Sequence, residues 1–160
     1  MICIVDVHYE PDRVTAAAVG AAWGDEVPTI EIVLRTPGPA ADYSPGAFYE
    51  RELPYLLAIL ERMPPVDVVV VDGYVWLGAD HPGLGWHLHR VRGGPVIGIA
   101  KTQFAGAPSN DIIRGDSGKP LHITTIDYDA TLAAEQVRTM HGEYRIPTLV
   151  RRADALARGH

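Results

Sequence analysis

The sequence predicts an α/β fold in which a mixed β-sheet carries helices on both faces. Three observations predict it. Three apolar, strand-like segments joined by short turns open the chain, one helix-like segment follows, and then strands alternate with helices. Consecutive hairpins require antiparallel pairing, whereas a strand–helix–strand unit favours parallel neighbours. A doubly wound sheet is the alternative, but such a sheet would not begin with two hairpins.

The opening strands are assigned from their apolar residues and from the turns between them. "MICIVDV" (residues 1–7) is typical of a buried strand that ends near Asp6, and residues 14–23 and 29–35 form two more apolar segments. Pro11-Asp12 and Gly24-Asp25 are turn-forming pairs, so the links suit antiparallel hairpins.

The rest of the chain alternates helical and extended patterns. The sequence predicts helices over residues 47–63, 83–91, 129–141 and 147–158, strands over residues 66–71, 95–100 and 119–125, a glycine-rich loop after residue 72, and a loop over residues 101–118. Three antiparallel strands followed by this alternation is the element order of the ribonuclease H-like fold.

Composition sets limits on the class of protein. With 160 residues, 47% hydrophobic and 21% charged, we expect one domain over residues 1–160. The single cysteine, Cys3, leaves no disulfide within the chain, and "MICIVDV" reaches Asp6 too early for a signal peptide. We therefore expect a cytoplasmic protein without a membrane span, and a monomer is favoured.

Charge is distributed unevenly along the chain. Residues 1–80 hold 13 acids and 4 bases, whereas residues 81–160 hold 7 acids and 10 bases. A basic half suits contact with phosphates and an acidic half suits binding of cations. A chance asymmetry spread over solvated surfaces is equally compatible with these numbers.

Two aspartates follow apolar runs that the topology makes neighbours. Asp6 ends the first strand, and Asp72 ends the run "VDVVVV". Carboxylates crowded at one sheet edge repel each other unless a cation joins them, and such oxygen ligands suit Mg²⁺, with Mn²⁺ as a substitute. The alternative for Asp72-Gly73 is an ordinary turn, since Asp-Gly is a common turn pair.

A third carboxylate is expected from the first helix. Glu50, Glu52 and Glu61 are the candidates, and only Glu52 falls inside the apolar arc of a helical wheel. An acid on a buried face needs a partner, which favours Glu52. If Pro54 lies in the first helical turn, Glu52 instead precedes the helix and is solvated.

Taken together, several motifs resemble the endonuclease V family, whose members nick nucleic acid beside deaminated adenine. The resemblance spans nearly the whole chain in the family's order. The similar segments are "VDVHY", "YSPGAFYERELPYLLAILERM", "VDVVVVDG", "HPGLGWHL", "GPVIGIAKTQF", "GKPLHIT" and "YRIPTLVRRAD".

The resemblance implies roles for particular residues. Asp6, Glu52 and Asp72 match metal-binding carboxylates, and Asp154 stands where the family's last helix carries a histidine near the metals. It also implies a catalytic Lys101 near the scissile phosphate and a catalytic His81 in the His-Pro loop. Tyr43 matches a wedge that separates the strands beside the lesion. The implied substrate contacts are Tyr43, Pro45, Gly73, Tyr74, Trp76 and Lys101.

The implied activity is Mg²⁺-dependent endonucleolytic hydrolysis of inosine-containing DNA or RNA, in DNA repair. Two alternatives stay open: a homologue that binds nucleic acid without cutting it, and a ribonuclease H-like nuclease with other substrates. The sequence departs from the family in "YVWLGAD" (residues 74–80), which replaces a shorter segment beside the base. Its bulky side chains narrow the pocket or stack on a base, so we expect a weaker preference for inosine.

Overall fold

A computed structural model describes residues 1–39, 42 and 48–160 of the chain. The described ranges contain nine strands and four helices. The strands are β1 (Ile2–Glu10), β2 (Arg13–Ala21), β3 (Ile30–Pro37), β4 (Val68–Asp72), β5 (Trp76–Gly78), β6 (His81–Pro82), β7 (Val96–Ala100), β8 (Asn110–Ile112) and β9 (Leu121–Ile126). The helices are α1 (Phe48–Leu60), α2 (Leu84–Arg92), α3 (Ala130–Arg138) and α4 (Thr148–Arg158).

Seven strands form one mixed sheet in the order β3-β2-β1-β4-β7-β9-β8. The hairpins β1–β2 and β2–β3 are antiparallel, and β1–β4 and β4–β7 are parallel. The last two pairs, β7–β9 and β8–β9, are again antiparallel. The predicted mixed sheet is confirmed, with the parallel strands β1, β4 and β7 at its centre.

Helices cover both faces of the sheet, as predicted. Helices α3 and α4 pack on one face, and α1 and α2 pack on the other. Along β4, Val68 and Val70 point toward the α4 side while Val69 and Val71 point toward the α1 side, so the valine run is buried on both faces. No helix in the described ranges could span a bilayer.

The first strand is longer than predicted. Strand β1 continues past Asp6 to Glu10, because the hairpin with β2 extends to the pair Glu10–Arg13 around the turn at Pro11-Asp12. The parallel pairing of β1 with β4 ends at the pair Val5–Val71. Asp6 is therefore not the end of its strand, but it does lie where the central parallel ladder ends.

The position of Pro54 resolves the alternatives for the first helix. Helix α1 begins at Phe48, so Pro54 lies in its second turn and Glu52 is helical. Pro54 is exposed, and its missing N–H leaves the Glu50 carbonyl without a helical donor. The helical wheel therefore applies, and it places Glu52 on the buried face as predicted.

Two segments predicted as loops contain short strands. Residues 101–118 include β8, a three-residue edge strand that pairs with β9. The glycine-rich segment after Asp72 contains the β5–β6 ladder. The prediction missed both because each strand is very short, and because Asn110 and Asp111 of β8 lack the apolar character that identifies a strand.

Gly98 on β7 leaves room for the chain that follows Asp72. A Cβ at Gly98 would lie 2.4 Å from the Gly73 carbonyl oxygen and 2.8 Å from the Thr124 hydroxyl. The same hydroxyl accepts the N–H of Val75 at 2.8 Å. Gly98 thus lets the segment after Asp72 pack directly against the sheet.

We expect Gly98→Ala to lower the free energy of unfolding by about 1–3 kcal/mol, because an added methyl group forces the Gly73 backbone outward. Gly24→Ala is the control, since no atom lies within 4 Å of a Cβ built there. Urea denaturation of both variants measures the effect. Equal stability of the two variants would contradict the close approach of Gly73 to β7.

Candidate active site

Two carboxylates lie side by side where the central parallel ladder ends. Asp6 and Asp72 each follow the last β1–β4 pair, Val5–Val71. Alternation along the strands turns both side chains toward the face covered by α4. There they line a narrow cleft with Lys101 from the end of β7 and Val150 and Ala153 from α4. The prediction that β1 and β4 are adjacent strands is confirmed.

A lysine contacts the more exposed of the two aspartates. Lys101 follows β7, and its Nζ donates to Oδ2 of Asp72 at 3.2 Å. Both side chains are more than a third exposed, so solvent screens this ion pair and it contributes at most about 1 kcal/mol to stability. The pair nevertheless fixes one positive charge beside the carboxylates.

The position of Asp6 disfavours the charged form of its carboxyl group. Burial is the main cause, and the charge of Asp72 adds to it, so the pKa of Asp6 rises to about 7. Asp154 on α4 raises this pKa further, while the N–H of Val7, which donates to Asp6 Oδ1 at 2.9 Å, lowers it. In the absence of a cation, Asp6 therefore releases its proton only near neutral pH.

Glu52, on helix α1, lies on the opposite face of the sheet but near enough for the charges of Asp6 and Asp72 to act on it. Its side chain is 8% exposed. Burial and, after it, the charge of Asp6 raise the pKa of Glu52 to about 8, whereas the neighbouring Tyr9 lowers it. The Tyr9 hydroxyl is buried, and it forms no hydrogen bond of regular geometry within the described ranges. The Tyr9–Glu52 contact is thus close but not an ideal hydrogen bond.

Tyr9 is a site residue that the sequence analysis missed. The Arg51 guanidinium lies 3.8 Å from the centre of the Tyr9 ring. A signal was present in the sequence, because residues at odd positions of β1 face α1, the helix that also supplies Glu52. Tyr9 and Arg51 therefore enclose Glu52 on the side of the sheet opposite to α4.

His81 and Asp154 have other partners in this structure. The ring of His81 meets Phe104 edge-on at 6.2 Å between centroids, and His81 has no ion pair to a carboxylate among the described residues. The Asp154 carboxylate accepts from Arg158 Nε at 2.9 Å, although its charge still acts on Asp6. The roles predicted for both residues stay predictions.

The segment after Asp72 is packed rather than open. Tyr74 is 8% exposed, and its hydroxyl donates to the Thr102 carbonyl and accepts from the Phe104 N–H. Trp76 packs on Trp86, with 6.1 Å between ring centroids. Tyr74 thus ties this segment to the chain after β7 and presents no free stacking surface in this conformation.

Other predicted substrate contacts have different outcomes. Gly73 donates its N–H to the Ile99 carbonyl and has φ of +131°, a conformation that favours glycine. Tyr43 and Pro45 lie outside the described residues. His87, for which no catalytic role was predicted, stacks on Tyr49 at 3.4 Å between ring centroids, so it serves packing.

The donor set fits a hard divalent cation in its chemistry. Asp6, Glu52 and Asp72 supply carboxylate oxygens, which Mg²⁺ prefers, and their mutual repulsion is the cost that a cation would remove. Within residues 1–39, 42 and 48–160, however, no three acidic, histidine or cysteine side chains are close enough to form a ready metal cage. Ion binding therefore requires side-chain movement, and the exposed Asp72 can move because its ion pair with Lys101 is weak.

Comparison with known proteins gives a consistent result. The family model described as Endonuclease V matches residues 1–126. Endonuclease V of Streptomyces avermitilis is 36% identical over 96% of this chain and 77% of its own length. The crystal structure of the Streptomyces avermitilis endonuclease V has a TM-score of 0.74 at 29% identity, covering 98% of this chain and 79% of that one.

A further solved structure agrees in fold. It is endonuclease V of Ciona intestinalis in complex with a 24mer DNA that contains an inosine followed by a ribo-adenosine. Its TM-score is 0.80 at 17% identity, over 98% of this chain and 83% of that one. These likenesses confirm the predicted ribonuclease H-like fold.

The raised pKa values predict how stability depends on pH. Without metal, the folded protein keeps protons on Asp6 and Glu52 that the unfolded chain releases near pH 4. Stability should therefore fall as the pH rises from about 4 to about 8, at roughly 1.4 kcal/mol for each unit of pKa shift. Thermal melts in EDTA across this window measure it.

Substitutions test the origin of this pH dependence. Asp6→Asn and Glu52→Gln should each flatten the slope and raise the melting temperature at pH 8, because the buried charge is gone. Glu50→Gln, which changes an exposed acid on the same helix as Glu52, is the matched control and should keep the wild-type slope. If Asp6→Asn and Glu52→Gln both keep the wild-type dependence of melting temperature on pH, the pKa values of these two carboxyl groups are not raised by burial and repulsion.

Proposed function

The chain belongs to the endonuclease V family, and we propose that it is a divalent-metal-dependent endonuclease that hydrolyses a phosphodiester bond near deaminated adenine in DNA or RNA. One observation carries the proposal. Asp6 and Asp72 end the β1–β4 ladder on one face, with Lys101 beside them and Glu52 approaching from α1. Carboxylates clustered in this way can hold the divalent cations that catalyse phosphodiester hydrolysis, and a nearby cationic group can stabilise charge on the phosphate.

Asp6, Glu52 and Asp72 are the proposed ligands of Mg²⁺, with Mn²⁺ as a substitute, and Asp154 is the proposed fourth. When bound, the cation supplies Lewis-acid activation of water and neutralises charge on the leaving 3′ oxygen. Among these carboxylates, Asp6 and Glu52 hold protons near pH 7 and must release them to bind a cation, so activity should rise with pH through this region.

Lys101 has a separate proposed role at the phosphate. Its ammonium contacts Asp72 in this structure, and the side chain is about a third exposed. Four methylene groups let Nζ turn from the carboxylate toward a phosphate oxygen bound over the cleft. There it would stabilise charge that develops on the phosphate in the transition state. The proposed products carry 5′-phosphate and 3′-hydroxyl ends.

The proposed substrate class follows from the relatives. The Ciona intestinalis endonuclease V was solved with inosine-containing DNA. On this chain, the candidate base-contact segment is residues 73–82, together with Phe104, whose ring meets that of His81 edge-on. Because Tyr74 is buried and Trp76 packs on Trp86, we propose that the backbone and the exposed His81 contact the base. The basic second half of the chain would contact flanking phosphates.

We expect Asp72→Asn to lower cleavage of an inosine oligonucleotide by at least about 100-fold in Mg²⁺ and in Mn²⁺. The amide keeps the shape of the side chain but removes the charge that would hold the cation. Binding measured in Ca²⁺ should persist, because phosphate contacts elsewhere do not need the chemistry. An oligonucleotide with adenosine in place of inosine reports specificity.

Asp116→Asn is the matched control, since Asp116 is exposed and lies outside the cleft. It should cleave at the wild-type rate. Cleavage by Asp72→Asn at that same rate would mean that β4 ends in an ordinary Asp-Gly turn. A wild type that binds inosine DNA but cuts it in no metal would support the binding-only homologue instead.

A further inference from the structure

Arg145, which precedes α4, contacts the backbone at the catalytic edge of the sheet. Its Nη2 donates to the carbonyl oxygens of Lys101 and Pro120, and its Nε donates to the Lys119 carbonyl at 3.0 Å. One planar guanidinium thus joins the chain leaving β7 to the chain entering β9. All three of these partners are backbone carbonyls.

The Lys101 backbone needs such a contact because the sheet no longer holds it. The β7–β9 ladder ends at the pair Ala100–His122, one residue before Lys101. The Asp72–Ile99 pair likewise ends the ladder between β4 and β7. Beyond Ala100 the chain bends away. The Arg145 contact therefore restrains the residue whose ammonium reaches Asp72.

A second arginine holds Arg145 in place. Arg114 is 4% exposed, and its Nε donates to the carbonyls of Tyr144 and Arg145, each at 3.2 Å. Its other nitrogens donate to carbonyls of the segment from the end of α3 to Gly142, which are those of Val137, Arg138, Met140 and Gly142. The backbone from which the Arg145 side chain starts is thus fixed to the body of the protein.

We propose that Arg145 is a positioning residue for Lys101. By holding the Lys101 carbonyl, Arg145 sets where the Lys101 ammonium lies relative to Asp72 and, under the proposed function on which this inference rests, relative to the scissile phosphate. A planar fork that reaches three carbonyls is a geometry that arginine supplies and lysine does not. Misplacing a catalytic group by about 1 Å can cost about 100-fold in rate.

The first test is a double-mutant cycle on kcat for an inosine oligonucleotide. Arg145→Ala should lower kcat by about 10- to 100-fold, with little change in KM, and by no more than Lys101→Ala does. In the Lys101→Ala background, Arg145→Ala should cost less than about twofold further, because the group it positions is already gone. Arg145→Lys should fall between the wild type and Arg145→Ala.

Arg138→Ala is the matched control, since Arg138 is an exposed arginine whose side chain pairs with Glu135 on the surface. It should leave kcat unchanged in both backgrounds. If the fold-losses in kcat of the two single variants multiply in the Arg145→Ala, Lys101→Ala double variant, the proposal is overturned. Such a result would mean that Arg145 acts through general stability or through another group. Full kcat in Arg145→Ala would overturn it as well.

The second test needs no activity. The chain has two lysines, Lys101 and Lys119, so reductive methylation with ¹³C-formaldehyde labels these two side chains and the N-terminal amine, and Lys119→Arg leaves Lys101 as the single lysine signal. In EDTA, Arg145→Ala should move the Lys101 signal toward its position in the urea-unfolded protein, and Arg138→Ala should not. An unmoved Lys101 signal would overturn the positioning role. If the wild type cuts no substrate, the proposed function fails, while this measurement still decides whether Arg145 positions Lys101.

Discussion

The pairing of β1 with β4 is the constraint on which the rest of this structure depends. Valines on both faces of β4 bury the strand in the centre of the sheet, and its parallel partner β1 is set in register by the same burial. That register leaves Asp6 and Asp72 adjacent where the ladder ends. The apolar core thus stabilises a pair of carboxylates that repel each other, a cost that proteins accept at functional sites.

The groups around the pair respond to this repulsion in different ways. Lys101 places a positive charge beside Asp72. Asp6 and Glu52 keep their protons to a higher pH than ordinary carboxyl groups do, which reduces their negative charge. Each response is reversible, because an exposed ion pair is weak and a proton can be displaced. The site therefore combines a rigid backbone with charges that a cation could rearrange.

Two of the arginines near the site, Arg114 and Arg145, stabilise backbone rather than carboxylates. Arg114 and Arg145 donate to carbonyls from the end of α3, from the α3–α4 connection and from the chains leaving β7 and entering β9. They order these irregular segments without pairing with the acids of the cleft. Asp6 and Glu52 consequently keep the electrostatic strain that makes them candidate ligands.

Much of this architecture is encoded in local sequence patterns. The valine run, the two opening hairpins and the apolar arc of α1 predict the sheet centre, its antiparallel edge and the burial of Glu52, since each depends on residues close in the chain. Strand β8 escapes such patterns because three partly polar residues form a strand only when β9 offers a free edge. The hydrogen bonds of Arg145 and of Tyr74 join segments that are far apart in sequence. The periodicity of apolar residues within one segment does not predict such contacts.

The side chains of the site also divide into those whose positions follow from the topology and those whose partners do not. The adjacency of Asp6 and Asp72 follows from topology, which the sequence predicts. The partners of Lys101 and His81 depend on rotamers and on packing between segments far apart in the chain. For that reason the sequence identifies the carboxylates by position but does not predict that His81 packs against Phe104, whereas the Asp154–Arg158 pair is a local i,i+4 contact on α4.

Proton release on metal binding tests most directly whether a cation relieves the strain between these carboxylates. Isothermal titration of Mn²⁺ into the protein at pH 7, in buffers of different ionisation enthalpy, counts the protons expelled. Because Asp6 and Glu52 have pKa values of about 7 and 8, binding should release about one proton or more, and Glu52→Gln should release fewer. Binding heats that do not depend on the buffer, or no binding at all, would contradict the account.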